Sequence, residues 1–237
     1  MEPTQSHHMP SGPNRDFPTR NQLSKKTKPN NKLSLILLIV VLTGGLYYWR
    51  IEKQPTSSNI NVENQAEEVI RQYQSQLPDL KNKAESNTSS DLQNYGVALY
   101  ATRNLDKAEE VYKKQVTVDP DNSVAHNNLG NTLRDLKKFD GSVQEYEEAI
   151  RLAPHTISAY ANLGSVYQYQ QASIDKAIDV YKRGIEANPE SVDMYILLAL
   201  AYEQKQDNTN ALKTYDQILK LQSDNQAAKA GIQRLNQ

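Results

Sequence analysis

Residues Ser123 to Pro154 read SVAHNNLGNTLRDLKKFDGSVQEYEEAIRLAP. In the first half His126, Leu129, Gly130 and Leu133 recur at i, i+3, i+4 and i+7, the spacing of one face of an α-helix. In the second half Val143, Tyr146, Ala149 and Ile150 do the same. Two short amphipathic helices joined by a tight turn cannot bury both their apolar faces alone, so the segment calls for neighbours of its own kind.

Those neighbours are present. Shifting the chain against itself by 34 residues aligns residues 92 to 223. One small-residue column reads Gly96, Gly130, Gly164 and Ala199, and a second reads Ala108, Ser142, Ala177 and Ala211. Tyr112, Tyr146, Tyr181 and Tyr215 form a third, and Pro120, Pro154 and Pro189 close the first three periods. Proline followed by Ser or Thr (Pro120/Ser123, Pro154/Thr156, Pro189/Ser191) predicts the end of one helix and the cap of the next. The glycines allow close helix approach, and the tyrosines fill the groove toward the following repeat. An extra residue in the third period falls around Gln170 to Ser173, between helices, where insertions are tolerated.

This pattern closely resembles the tetratricopeptide repeat (TPR) over Asp91 to Leu221. The resemblance implies an all-α TPR solenoid of four helix-turn-helix repeats, at about 89–122, 123–156, 157–191 and 192–224, within a domain spanning 91–223. Residues 225–237, with Ala227, Ala228, Gly231 and Leu235, are expected to form a C-terminal capping helix. Departures from the family pattern are Ser142 in the Ala column, Gln115 and Gly184 where a small residue is usual, and Ser223 where a fourth proline would stand. They predict looseness in repeat three and a softer C-terminal boundary.

In the TPR family the first helices line a concave face that binds extended peptides or a partner's helix. Asn94, Asn128 and Asn162 each stand two residues before the small-residue column, with Leu197 breaking the series. A carboxamide both donates and accepts, so such a ladder suits a peptide backbone of any sequence. Each net hydrogen bond contributes only about 0.5–1.5 kcal/mol, so selectivity would fall to Asn127, Asn131, Arg134, Ser165, Gln168, Asp193 and Glu203. The alternative is that the asparagines simply hold adjacent helices together. The carboxylate clamp of chaperone-binding TPR proteins is not matched: of its five positions only Asn128 agrees, with Gln93, Val97, Ser158 and Asn162 at the others.

Catalysis has little to stand on. His7 and His8 lie near the N-terminus, His126 holds a packing position and His155 a turn, and no catalytic or phosphate-binding motif occurs. Glu109-Glu110 and Glu145, Glu147 and Glu148 read as solvated outer surface. No Cys is present, which excludes disulfides and thiolate metal sites, and no cofactor is expected.

Upstream of the repeats, Leu33 to Trp49 (LSLILLIVVLTGGLYYW) carries no charge and would reach about 25 Å as a helix, the short end of a bilayer span. Lys32 and Arg50 flank it, and Tyr47, Tyr48 and Trp49 form an interfacial aromatic cluster. It is expected to be a single transmembrane helix. A cleaved signal peptide, with Thr43-Gly44-Gly45 as a cleavage site, is the competing reading, giving a soluble periplasmic or secreted adaptor. Residues 1–32 are polar, carry a net +4 and are expected to be a disordered cytoplasmic tail. The positive-inside rule then puts the TPR domain, net −4 over 91–237, on the extracytoplasmic side. That balance argues against nucleic acid. Residues 50–61 and 78–90 read as linkers. Between them, 62–77 places Val62, Ala66, Val69, Ile70, Tyr73 and Leu77 on one helical face that Pro78 is expected to stop. That stripe either docks on the neighbouring domain or self-associates.

The expected function is a membrane-tethered, non-catalytic scaffold for a peptide or protein partner. Its topology resembles small bacterial TPR proteins that assist folding or assembly at the outer face of the inner membrane. A non-catalytic subunit of a permanent oligomer is the alternative from another class. Of the 14 tyrosines, nine fall in repeat columns, Tyr47 and Tyr48 in the aromatic cluster and Tyr73 on the 62–77 stripe, which leaves Tyr100 and Tyr169 as the exposed ones to watch.

Overall fold

The computed structural model describes residues 57–170 and 172–237 of the 237-residue chain. The basic tail 1–32, the apolar segment 33–49, and with them the predicted side of the membrane lie outside the described residues, as do 50–56. No helix among the described residues is long and apolar enough to cross a membrane.

The described chain is helical throughout. A long helix α1 (Ser57–Ala84) leads into four pairs: α2 (Ser89–Ala101) with α3 (Leu105–Val118), α4 (Ser123–Asp135) with α5 (Phe139–Leu152), α6 (Ile157–Ser165) with α7 (Ile174–Ala187), and α8 (Val192–Gln204) with α9 (Asn208–Leu221). A final helix α10 (Gln226–Leu235) closes the stack. Each helix packs mainly on its neighbours in sequence, the arrangement of a solenoid.

The tyrosine column is the seam of this stack. Tyr112, Tyr146, Tyr181 and Tyr215 are all fully buried. A Cβ added at Gly96 would stand 2.6 Å from the Tyr112 ring, and one at Gly130 2.7 Å from Tyr146. Gly164 meets Tyr181 in the same way. In the fourth pair Ala199 holds the column, and Tyr215 instead lies against Gly231 of the capping helix. Each ring also reaches the next repeat: Tyr112 packs with Leu129 and Leu133, Tyr146 with Tyr160 and Leu163, and Tyr181 with Leu198 and Tyr202.

Of the sequence departures Gly184 and Ser142 are compensated, whereas the buried Gln115 keeps its Oε1 without a hydrogen-bond partner among the described residues. A Cβ on Gly184 would stand 2.7 Å from Met194 Sδ and 3.1 Å from Tyr160 Cβ. Met194, in turn, occupies the place where Ala125 and Ala159 stand in α4 and α6 and Ala228 in α10. The large side chain has moved across the junction and the small one has moved to meet it, so the expectation of looseness in repeat three is corrected. At the last junction the reverse pairing holds, with Ile218 against Ala228. Ser142 is buried and its hydroxyl donates to the Phe139 carbonyl (2.9 Å). Gln115 is buried too, its amide nitrogen donating to the Ser89 carbonyl (3.1 Å) and Gln93 Oε1 (2.8 Å).

One turn joins the two helices of each pair, and each of the four contains a non-glycine residue in the left-handed region: Arg103, Lys137, Ala172 and Gln206. In three of them a backbone bond closes the turn across five residues: Asn104 to Leu99 (2.8 Å), Lys138 to Leu133 (2.8 Å) and Asp207 to Tyr202 (2.9 Å). In the third pair the bond runs from Ser173 to Tyr167 (2.7 Å), one residue further. The extra residue is absorbed by widening Val166–Gln170 into a π-helical turn, so part of the insertion lies within the helix rather than between helices.

Caps differ in detail from expectation. Ser191 accepts from the Met194 amide, but α4 is capped by Asn122, which accepts from Ala125 N (3.0 Å), and not by Ser123. Thr156 makes no side-chain cap bond. Where the fourth proline is absent, Asn225 caps α10 through Ala228 N (3.0 Å).

The predicted stop at Pro78 is also corrected. Helix α1 runs through Pro78 to Ala84, and its start at Ser57 takes in the end of the predicted 50–61 linker. Proline removes one intrahelical bond, to the Gln74 carbonyl, yet Gln74 is exposed, so that carbonyl is open to solvent. Leu77 packs against the Leu99–Tyr112 cluster and Ala84 is buried, so docking outweighs the lost bond. Of the predicted 78–90 linker, only 85–88 remains as a turn.

Candidate functional site

The predicted binding residues fall on the first helices α2, α4, α6 and α8 and on the π-helical turn that follows α6. They separate into three groups.

Five belong to the packing. Asn131 is buried and accepts the Tyr146 hydroxyl (2.7 Å). Gln168 is buried, accepts the Tyr181 hydroxyl (3.0 Å) and donates to Gln204 (2.6 Å). Glu203 accepts from the Tyr215 hydroxyl and from Arg234 (2.7 Å), tying α8 to α9 and to the capping helix. Arg134 is buried and paired with Asp135 (3.0 Å). Asn162, the third rung of the ladder, is buried and donates to Asn127 Oδ1 (3.2 Å). These residues bond to seam hydroxyls and across helix contacts, so their polar groups already have partners within the chain. Burial pushes the Tyr112 and Tyr146 hydroxyls far above the ordinary phenol range, so they remain donors at any physiological pH.

Asn127 is bridging: its oxygen is taken by Asn162 and its residue remains half-exposed. Asn94 is exposed and Asn128 half-buried, and neither side chain makes a hydrogen bond to another described residue. Ser165 is half-buried, and Asp193 is exposed in the first turn of α8, where the helix N-terminus favours a carboxylate.

Two features of this face escaped the sequence reading. Val124 (52% exposed) and Leu200 (40%) are open apolar residues on first helices, in addition to the anticipated Tyr169 (45%) on the π-helical turn. Their signal was available: Val124 stands where Ser90, Ser158 and Asp193 stand in the other repeats. The second is a hub at Asp135, whose side chain is 5% exposed. It accepts the Tyr100 hydroxyl (2.7 Å) and pairs with Arg103 (3.1 Å) and Arg134. Tyr100 is thus a clamp between the first two repeats, not a free surface tyrosine, whereas Tyr169 is exposed as expected.

The outer acidic residues are also more than solvated surface. Glu109 is buried and meets Lys138 (2.6 Å) and Lys113 (2.8 Å). Burial resists its ionisation, but the two lysine hydrogen bonds outweigh this and hold its carboxyl below the usual range. Glu147 pairs with Arg183 (2.8 Å), one repeat on. Glu145 contacts His126 Nδ1 (2.7 Å), whose Nε2 faces the Pro120 carbonyl (2.9 Å). His155 is bonded to the Ala187 carbonyl (2.9 Å). Both described histidines therefore tie turns together, and no cluster of three or more metal-binding side chains occurs among the described residues.

Comparison with known proteins agrees with this architecture. Models of the tetratricopeptide repeat match residues 92–122, 130–171 and 162–228. The chain carries a TPR domain. Over 157 residues it is 23% identical to Protein O-mannosyl-transferase TMTC3 of Homo sapiens, covering 60% of this chain and 17% of that protein. Over 97 residues it is 31% identical to BBSome complex member BBS4 of Mus musculus, covering 41% and 18%. The chain therefore spans less than a fifth of either relative. Among solved structures it is similar to YrrB, described as a TPR protein with an unusual peptide-binding site, with TM-score 0.55 and 18% identity over 79% of this chain and 98% of that one.

Proposed function

We propose that the chain is a membrane-tethered, non-catalytic scaffold whose first-helix face receives an extended segment of a partner protein. The observation that carries this reading is an open face with two unpartnered carboxamides, Asn94 and Asn128, beside the exposed apolar side chains Val124, Tyr169 and Leu200. Magnitudes favour the apolar residues as the main source of affinity. Burying one aliphatic side chain is worth about 1.5–3 kcal/mol, whereas a net hydrogen bond contributes about 0.5–1.5 kcal/mol. The carboxamides orient a peptide backbone, and Tyr169 and Leu200 select for apolar side chains along it. The relatives' names speak of complex membership and of peptide binding, which is consistent with this class of role.

The tether rests on the uncharged run Leu33 to Trp49 behind a basic flank, and it directs the TPR domain to the extracytoplasmic side. N-terminal sequencing of the detergent-extracted mature protein tests it, since a chain beginning near Leu46 rejects the anchor. Crosslinking in intact membranes tests the face. Asn94→Ala/Asn128→Ala is expected to lower recovery of the crosslinked partner, and Tyr169→Ala/Leu200→Ala to lower it further, with unfolding curves unchanged. Undiminished recovery with both variants would reject this face as the binding site.

A further inference from the structure

A cleft of about 310 Å³ opens where α1 meets the first repeat. Leu77, Pro78 and Lys81 of α1, Tyr95 and Leu99 of α2, and Lys107 of α3 line it, and no carboxylate does. Both lysines are exposed, and neither makes an ion pair with a described residue.

The other junctions show what this one lacks. At each of them a cation meets a carboxylate about one repeat away: Lys138 with Glu109 (2.6 Å), Arg183 with Glu147 (2.8 Å), Lys205 with Asp175 (2.6 Å) and Arg234 with Glu203 (2.7 Å). The apolar side differs as well. Tyr95 and Leu99 are the register equivalents of Leu129 and Leu133, which are packed by the preceding helix's Tyr112. At the register position of Tyr112 helix α1 carries Pro78; its own tyrosine, Tyr73, lies near Tyr112, and the space beside Leu77 and Pro78 is the cleft. The first junction therefore has Pro78 where every later one has a seam tyrosine, and two lysines where every later one has a matched charge pair.

We propose that this cleft docks a short acidic–aliphatic peptide segment of a partner protein, with one aliphatic side chain against Pro78 and Tyr95 and flanking carboxylates on Lys81 and Lys107. The missing charge complement favours acidic character, and a cleft of about 310 Å³ has room for an aliphatic side chain. The site shares no residue with the first-helix face, so it would act as a second point of attachment.

The test is fluorescence anisotropy on the purified full chain. The probe is a labelled, end-blocked peptide Glu-Glu-Leu-Glu-Glu, compared with its Gln-Gln-Leu-Gln-Gln counterpart. Saturable binding of the acidic peptide is expected, about tenfold weaker for the glutamine peptide and for Lys81→Gln/Lys107→Gln. Binding should return in Lys81→Arg/Lys107→Arg and be unaffected by Tyr169→Ala/Leu200→Ala. Equal affinity for the two peptides, or an unchanged affinity in the double glutamine variant, overturns the proposal. So does sensitivity to the Tyr169/Leu200 variant, which would put the peptide on the first-helix face. Absence of saturable binding to the wild type also overturns it, leaving the cleft to this chain's own residues or to a second copy.

Discussion

The tyrosine seam and the asparagine ladder are both written once per repeat, but they behave differently in the folded chain. Along the seam Tyr112, Tyr146, Tyr181 and Tyr215 are all buried against a glycine, the first three against one in their own repeat and Tyr215 against Gly231 of the capping helix. Along the ladder Asn94 is exposed, Asn128 half-buried and Asn162 buried and bonded to Asn127. Packing repeats because its neighbours repeat. A polar side chain on the open face meets whatever residue the adjacent repeat happens to present, and that residue varies.

The sharpest way to break this contrast is at the seam. Tyr146→Ala removes a fully buried ring and its bond to Asn131, and should cost about 3–5 kcal/mol in urea unfolding; a loss below about 1 kcal/mol would deny the seam. Next in size is Gly184→Ala, whose new methyl meets Met194 and Tyr160 and should cost about 1–3 kcal/mol. Adding Met194→Ala should make that substitution far cheaper, because a double-mutant cycle isolates the pair. Simple additivity would mean the two do not compensate.

The ladder gives the middle of the range. Asn162→Ala should destabilise by about 1 kcal/mol through the orphaned Asn127 contact, while Asn94→Ala should stay within about 0.5 kcal/mol. Equal effects would erase the distinction between the rungs.

The inter-repeat carboxylates predict an acid-sensitive solenoid. In Glu203, burial opposes ionisation but hydrogen bonds from Arg234 and Tyr215 prevail, so its folded pKa lies below the unfolded value, as does that of Glu109. A depressed folded pKa gives stability that is complete above the unfolded value, near 4.3 for Glu, and is lost as pH falls through the folded one. Melting temperature should therefore be flat near neutrality and drop below about pH 4, with a shallower acid limb in Glu203→Gln. The smallest effect is expected at the turns. Lys137 has φ 61°, and Lys137→Gly should stabilise by less than about 1 kcal/mol, because relief of the left-handed backbone is partly offset by glycine's extra unfolded-state freedom.

Much of the fold was legible because stacking converts one packing solution into a periodic text. The 34-residue shift, the Gly and Tyr columns and the capping helix all appear in the structure where the sequence placed them. What misled was local chemistry read without its partner across a junction. Gly184 reads as a gap until Met194 is seen beside it. Pro78 reads as a helix stop until docking of Leu77 and Ala84 is counted. Asn131, Gln168 and Glu203 read as binding residues until the tyrosine hydroxyls that they satisfy come into view.

By itself the sequence determined the repeat, its register and its seam, since close packing tolerates few residue types and repeats them visibly. Which polar side chains remain free to bind, which are consumed as internal partners, and where a charge lacks its complement were decided only by tertiary structure. Those properties depend on residues one repeat away, and no local pattern records the distance between them.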